Sequence, residues 1–104
     1  MSSRDQPFDG DPQKDAANYR GHGYHFADGY RVLIQDPAWL MTWYDDRNDY
    51  GEDRWNTLGS LPDQRHILLH VTWTERGDRL RIISVRNATA AERRRHAHRH
   101  DRSR

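Results

Sequence analysis

The chain has 104 residues, 34% hydrophobic and 32% charged, with no cysteine, enough for one modest core but excluding disulfides and thiolate metal sites. No apolar run marks a signal peptide or approaches the roughly 20 residues of a membrane span, so a cytoplasmic protein is expected. The net charge of +1 conceals a division: residues 1–64 hold 6 Lys/Arg against 12 Asp/Glu, and residues 65–104 hold 11 against 4. That division points to a polyanion-binding surface in the basic half, or to charge pairing between the halves.

A single domain over residues 1–104 is expected, with flexible ends at 1–6 and about 98–104. Pro7 and Phe8 begin a short edge strand. Asp11-Pro12 starts a helix, because Asp caps free N–H groups and Pro is tolerated at the first helical position. It runs to about Arg20, where Gly21-His22-Gly23 stops it. A second helix over Phe26 to Leu33 places Phe26, Tyr30 and Leu33 on one face, and Asp36-Pro37 ends it. Strands are expected near 38–44, 54–61, 66–74 and 79–86, with a turn at Pro62-Asp63. Short loops make them an antiparallel meander. Thr89-Ala90-Ala91-Glu92 has capping-box spacing and starts a C-terminal helix over about 89–97.

The last strand draws attention for its chemistry. Gly77-Asp78 supplies the turn before it. Strict alternation then places Arg79, Arg81, Ile83 and Val85 on one face, and Leu80, Ile82, Ser84 and Arg86 on the other. Neither face is purely apolar, which suits phosphate binding better than a core. Of the 17 basic residues only Lys14 is lysine, and arginine offers phosphate a planar, bidentate fork.

Five stretches together resemble the BrnT toxins of type II toxin–antitoxin modules. They are Asp11-Pro12-x-Lys14; His22-Gly23; Asp46-Arg47-x-Asp49-Tyr50-Gly51-Glu52-x-Arg54; Thr74-Glu75-Arg76-Gly77; and Arg81-Ile82-Ile83-Ser84-Val85-Arg86-x-Ala88-Thr89 with Glu92-Arg93. The sequence departs from that family at Gly10, where an aromatic is usual, at His25, where a capping Ser or Thr is usual, and at His96, where Tyr is common. The resemblance implies a compact α+β fold like that of RelE and ParE toxins: a four-stranded antiparallel sheet flanked by N-terminal helices and a C-terminal helix. It also implies a ribonuclease that blocks translation. The implied partner is a BrnA-like antitoxin with a ribbon-helix-helix DNA-binding part, in a 2:2 heterotetramer.

Metal-free RNA cleavage uses the ribose 2′-OH against its own phosphate. The protein must hold the chain in line, move protons and stabilise charge on the phosphoryl oxygens. Arg81, Arg79, Arg54 and Arg86 are the candidates for the charge, and Glu52 is the candidate base. His22, Tyr50 and His70 are further possible proton carriers. Arg76, Ser84, Lys14 and Trp55 are expected to bind substrate, Trp55 by stacking a base. The competing reading of the arginines is structural pairing with Glu52, Asp53 and Asp78. Trp39, Trp43 and Trp73 read as core. The run Asp45 to Asp53 fails as a calcium loop, since Tyr50 and Thr57 fall at ligand positions. His96-x-His98-x-His100 reads as surface histidines rather than a metal site, so no metal or cofactor is expected. The alternative function is a non-catalytic toxin or co-repressor that occupies nucleic acid or gyrase.

Overall fold

A computed structural model describes residues 6–47 and 51–99. The expectations for residues 1–5 and 100–104, for Tyr50 and for His100 lie outside the described residues. The elements in order are α1 (Pro12–His22), α2 (Phe26–Leu33), a 3-10 turn (Pro37–Trp39), β1 (Met41–Tyr44), β2 (Trp55–Leu61), β3 (Gln64–Arg76), β4 (Arg79–Asn87) and α3 (Ala90–His98). The strands form one antiparallel sheet in the order β1-β2-β3-β4. This is the expected α+β class, with α1 and α2 against one face and α3 against the other.

Local chemistry explains most boundaries. Asp11 accepts the Gln13 N–H at 2.9 Å, with Pro12 at the first helical position. Gly21 does not stop α1; the helix runs to His22 and ends at Gly23, whose φ of +82° is the left-handed conformation open to glycine. Trp39 does not begin a strand. Asp36 accepts the Ala38 N–H at 2.9 Å and closes a 3-10 turn, so β1 starts at Met41. At the start of α2, His25 offers no capping hydroxyl. Asp28 accepts the His25 N–H at 3.0 Å and Asp15 accepts the Phe26 N–H at 2.8 Å, so two carboxylates cap the helix. At Gly10 a Cβ would lie 2.8 Å from the Phe26 ring, so the space an aromatic would fill there is taken by Phe26.

The core lies between the helices and the sheet: Phe8, Phe26, Val32, Leu61, Leu69, Val71, Ile82 and Val85 are buried together. Each such side chain stabilises the fold by about 1.5–3 kcal/mol through burial. Backbone approach is close where α2 crosses the sheet. A Cβ on Gly59 would meet Val32 and Leu40 at 2.6 Å, so only glycine lets the helix sit that near.

The free edge of β4 is covered by the chain's start. Asp9 bridges it in parallel, donating to Leu80 O at 2.7 Å and accepting from the Ile82 N–H at 2.9 Å. Further along, the buried Asn18 side chain accepts the Val85 N–H at 3.0 Å and donates to Val85 O at 2.8 Å. Both backbone groups of that edge position are therefore satisfied without another strand.

Candidate nucleic-acid interface

The last strand does not alternate strictly. β3 and β4 shift register between Thr72 and Trp73, so Thr72 faces Ser84 while Trp73 faces Ile82. Ile83 is the extra residue, a β-bulge. Directly opposed residues share a face, which places Ile82 and Val85 together beside Trp73 and Val71 in the core. Arg79, Arg81, Ser84 and Arg86 then lie together on the other face, opposite Arg76, Thr74, Thr72 and His70. The strictly alternating assignment is corrected, and the physical reason is burial. One inserted residue puts Ile82 and Val85 on the core side and Arg79, Arg81, Ser84 and Arg86 on the opposite face.

That polar face is floored by buried Asn56, His70, Thr72 and Thr74. At one end the 51–54 segment crosses it, and the Thr74 hydroxyl donates to Asp53 O. There Glu52 pairs with Arg54 at 3.1 Å and with Arg76 at 3.8 Å. Arg81, opposite Thr74, is half-buried, and its guanidinium has no hydrogen-bond or ion-pair partner among the described residues.

At the other end α3 closes the face. Arg86 donates both terminal nitrogens to Glu92, at 2.8 and 3.0 Å, and Glu92 also accepts the Thr89 N–H at 2.8 Å. The Arg86 hydrogen bonds hold the Glu92 carboxyl down at about 2. Beneath this pair His70 is buried, its Nε2 lying 3.8 Å from Glu92 and its Nδ1 without a partner among the described residues. Desolvation, with the positive charge of Arg86, depresses its pKa to about 4, so it is neutral at pH 7. Trp43 meets the imidazole edge-on at 5.7 Å between centroids, and Arg95 lies 4.7 Å over the Trp43 ring.

A second buried network crosses β1 and β2. Asp45 accepts from Arg47 at 2.9 and 2.7 Å, and the Thr72 hydroxyl donates to Asn56 at 2.9 Å. Arg47 hydrogen bonds, with help from Asn56, bring the Asp45 carboxyl to about 2.

The structure thus brings Arg81, Ser84 and Arg86 onto one face, with Glu52, Arg54 and Arg76 at its Arg81 end. Arg79 belongs to that face by register, but it is committed elsewhere. Its Nε donates to Asp9 at 2.8 Å and its Nη2 to the carbonyls of Gln6 and Phe8, clamping the N-terminal segment. The structural pairing expected for these arginines is therefore present for Arg54 and Glu52, while Arg79 and Arg86 pair with Asp9 and Glu92 instead of Asp53 and Asp78. Trp55 lies on the helix-side face, stacked on Trp73 at 6.1 Å and edge-on to Tyr44 at 5.2 Å, across the sheet from Arg81. Lys14 and His22 are exposed on α1, in the opposite layer. Trp39 is 52% exposed rather than core. Among the described residues no three His, Asp or Glu side chains converge as a metal site.

Sequence reasoning gave Glu92 only a capping role and did not connect it with His70 and Arg86. A signal was present: His70, Thr72 and Thr74 alternate with Val71 and Trp73 in an otherwise apolar strand, marking a polar face with a job other than packing.

Residues 11–92 match the model of a family described as the ribonuclease toxin BrnT of type II toxin–antitoxin systems. No individual curated protein matches the chain in sequence. The matched span takes in α1, the whole sheet and the first turn of α3. The chain belongs to the BrnT ribonuclease toxin family.

Proposed function

From that membership we propose that residues 1–104 act as a single toxin domain in the cytoplasm, an endoribonuclease that cleaves RNA without a metal and so arrests translation. The observation that carries the reading is the bulge at Ile83, which puts Arg81, Ser84 and Arg86 on one polar face. The four residue steps of β3 from Thr74 to His70 separate Arg81 from Arg86 by about 13 Å of strand, room for RNA backbone to lie across the floor. The 2′-oxygen attacks the adjacent phosphorus while Glu52, beside Arg54, takes the proton; the bond from phosphorus to the 5′-oxygen breaks, leaving a 2′,3′-cyclic phosphate and a 5′-hydroxyl that takes its proton from solvent. The unpaired Arg81 guanidinium binds the phosphoryl oxygens as their charge increases. Arg86, fixed by Glu92, binds a flanking phosphate, and Ser84 donates a hydrogen bond between them. The proposed partner is a BrnA-like antitoxin, in a 2:2 assembly, that neutralises the toxin.

The test replaces Arg81 with Ala and with Lys and follows RNA 5′ ends, growth arrest and melting temperature. Arg81→Ala is expected to lower cleavage by about 10²–10³-fold, as loss of one transition-state donor does. Melting should hardly change, since no folded-state partner is removed. Arg81→Lys restores only part of the rate, because an ammonium lacks the fork. A folded Arg81→Ala protein with undiminished cleavage sinks this assignment. Growth arrest by a protein that cuts no RNA would favour the occupancy reading.

A further inference from the structure

Beside α3, away from Arg81, lie two contiguous depressions of about 420 and 450 Å³ that share Ser60, Arg65 and His96. One also takes in Arg93 and Arg94, the other Trp39 and Arg99, and none of the described residues lining either is acidic. The arginines here differ from most of the other described arginines. Arg31, Arg47, Arg54, Arg79 and Arg86 each hold a carboxylate. Arg65 instead donates to the Gln35 amide oxygen at 3.0 Å, Arg93 reaches His66 O at 3.5 Å, and Arg99 reaches Trp39 O at 3.3 Å. Their charges have no carboxylate partner among the described residues. Over this groove stands Trp39, 52% exposed, with the Arg65 guanidinium 5.4 Å from its ring centroid.

We propose that this groove is a second RNA-binding subsite, which holds single-stranded RNA flanking the cleaved bond by stacking a base on Trp39 and pairing phosphates with Arg65, Arg93 and Arg94. Uncompensated guanidinium groups around an exposed indole match what a single strand offers: phosphates on one side and unpaired π-faces on the other. The groove borders α3, the helix whose Glu92 grips Arg86. The inference rests on the ribonuclease reading, which supplies the RNA. An acidic protein could also meet the charges and cover the indole, and its docking is an outcome of the titration.

The probe is a single-stranded 2′-O-methyl oligoribonucleotide, which binds without being cut, titrated by fluorescence anisotropy over a range of salt concentrations. The double variant Arg65→Gln/Arg94→Gln changes exposed groups and should leave melting intact. It is expected to weaken binding about tenfold and to flatten the salt dependence by about 1.4 log units per decade, the share of two phosphate contacts to a single strand. Trp39→Leu is expected to weaken binding about fivefold or more with the salt slope unchanged. Oligonucleotide affinity equal to that of the unsubstituted protein in the arginine variant overturns the subsite. If Arg81→Ala still abolishes cleavage in that case, the ribonuclease reading survives. Normal oligonucleotide binding with lost affinity for an acidic antitoxin assigns the groove to protein docking and overturns the proposal. Absence of any RNA binding by the unsubstituted protein overturns both readings.

Discussion

Replacing Glu92 with Gln tests how α3 is held to the sheet. α3 has no buried residue of its own, so apolar packing contributes little to its docking. Its anchor is the Glu92 carboxylate, which takes two nitrogens of Arg86 and the Thr89 N–H, with side chains 31% exposed for Arg86 and 14% for Glu92. Holding that carboxyl at about 2 against an ordinary 4.5 corresponds to roughly 3 kcal/mol of stability at pH 7. Gln cannot accept from both Arg86 nitrogens, and it leaves a half-buried guanidinium short of a partner. The expected loss is about 2–3 kcal/mol, a fall in melting temperature of roughly 10–20 °C for a domain of this size. The sign of the pH dependence follows from the lowered pKa. The contribution is complete above about 4.5 and is lost as pH falls through about 2, so by pH 3 only about 1.4 kcal/mol remains. Urea unfolding of both proteins at pH 7 and pH 3 reads this directly. A gap between them that is as wide at pH 3 as at pH 7 would refute the electrostatic account of the anchor.

Two further perturbations probe the buried polar groups. His70 is held neutral down to about 4 against an ordinary 6.5, so the unfolded chain binds the extra proton between those values and stability falls as pH drops through that window. His70→Leu should flatten the dependence between pH 6.5 and 4, and an unchanged slope in denaturant titrations would exclude His70 as its source. Asn18→Ala leaves the Val85 N–H and C=O and the Tyr24 carbonyl without their side-chain partner. It should cost about 2–4 kcal/mol, seen as a lower urea midpoint with unchanged m; a loss of stability under about 0.5 kcal/mol, roughly the size of an ordinary surface change, would mean water replaces the amide.

How much of this was legible beforehand differs between the fold and the site. The meander was legible because strand pairing leaves a local record: Gly77-Asp78 and Pro62-Asp63 mark its tight turns, and Leu69, Val71 and Trp73 keep a period of two between them. The helix starts were legible for the same reason, since Asp11-Pro12 and Thr89 to Glu92 carry their capping chemistry within four residues. Where the reading slipped, at Trp39 and at the end of α1, a neighbouring Asp or Gly closed a turn that propensity alone does not distinguish from strand or coil. Partners chosen across the fold left no such record. Nothing near Arg79 in sequence announces Asp9, and nothing near Val85 announces Asn18.

The polar face was the hardest feature to read, and β4 shows why. Counting by twos from Arg79 puts Arg81 with Val85 and Arg86 with Ile82, so each face of the strand carries one group water wants and one it excludes. A strand with that pattern cannot satisfy both of its surfaces at once. The conflict has two resolutions, an arginine turned into the helix-side core or one extra residue. Burying an unpaired guanidinium costs several kcal/mol, while a bulge costs one ladder position. The energetics therefore favour the bulge, though local sequence does not say which residue is extruded. The answer depends on β3, where Val71 and Trp73 face the helices and must be met by Val85 and Ile82. That leaves Ile83 as the residue without a partner. Arg81, Ser84 and Arg86 share a surface because two apolar contacts on the opposite side of the sheet require it, and the geometry offered to RNA is set by the core behind it.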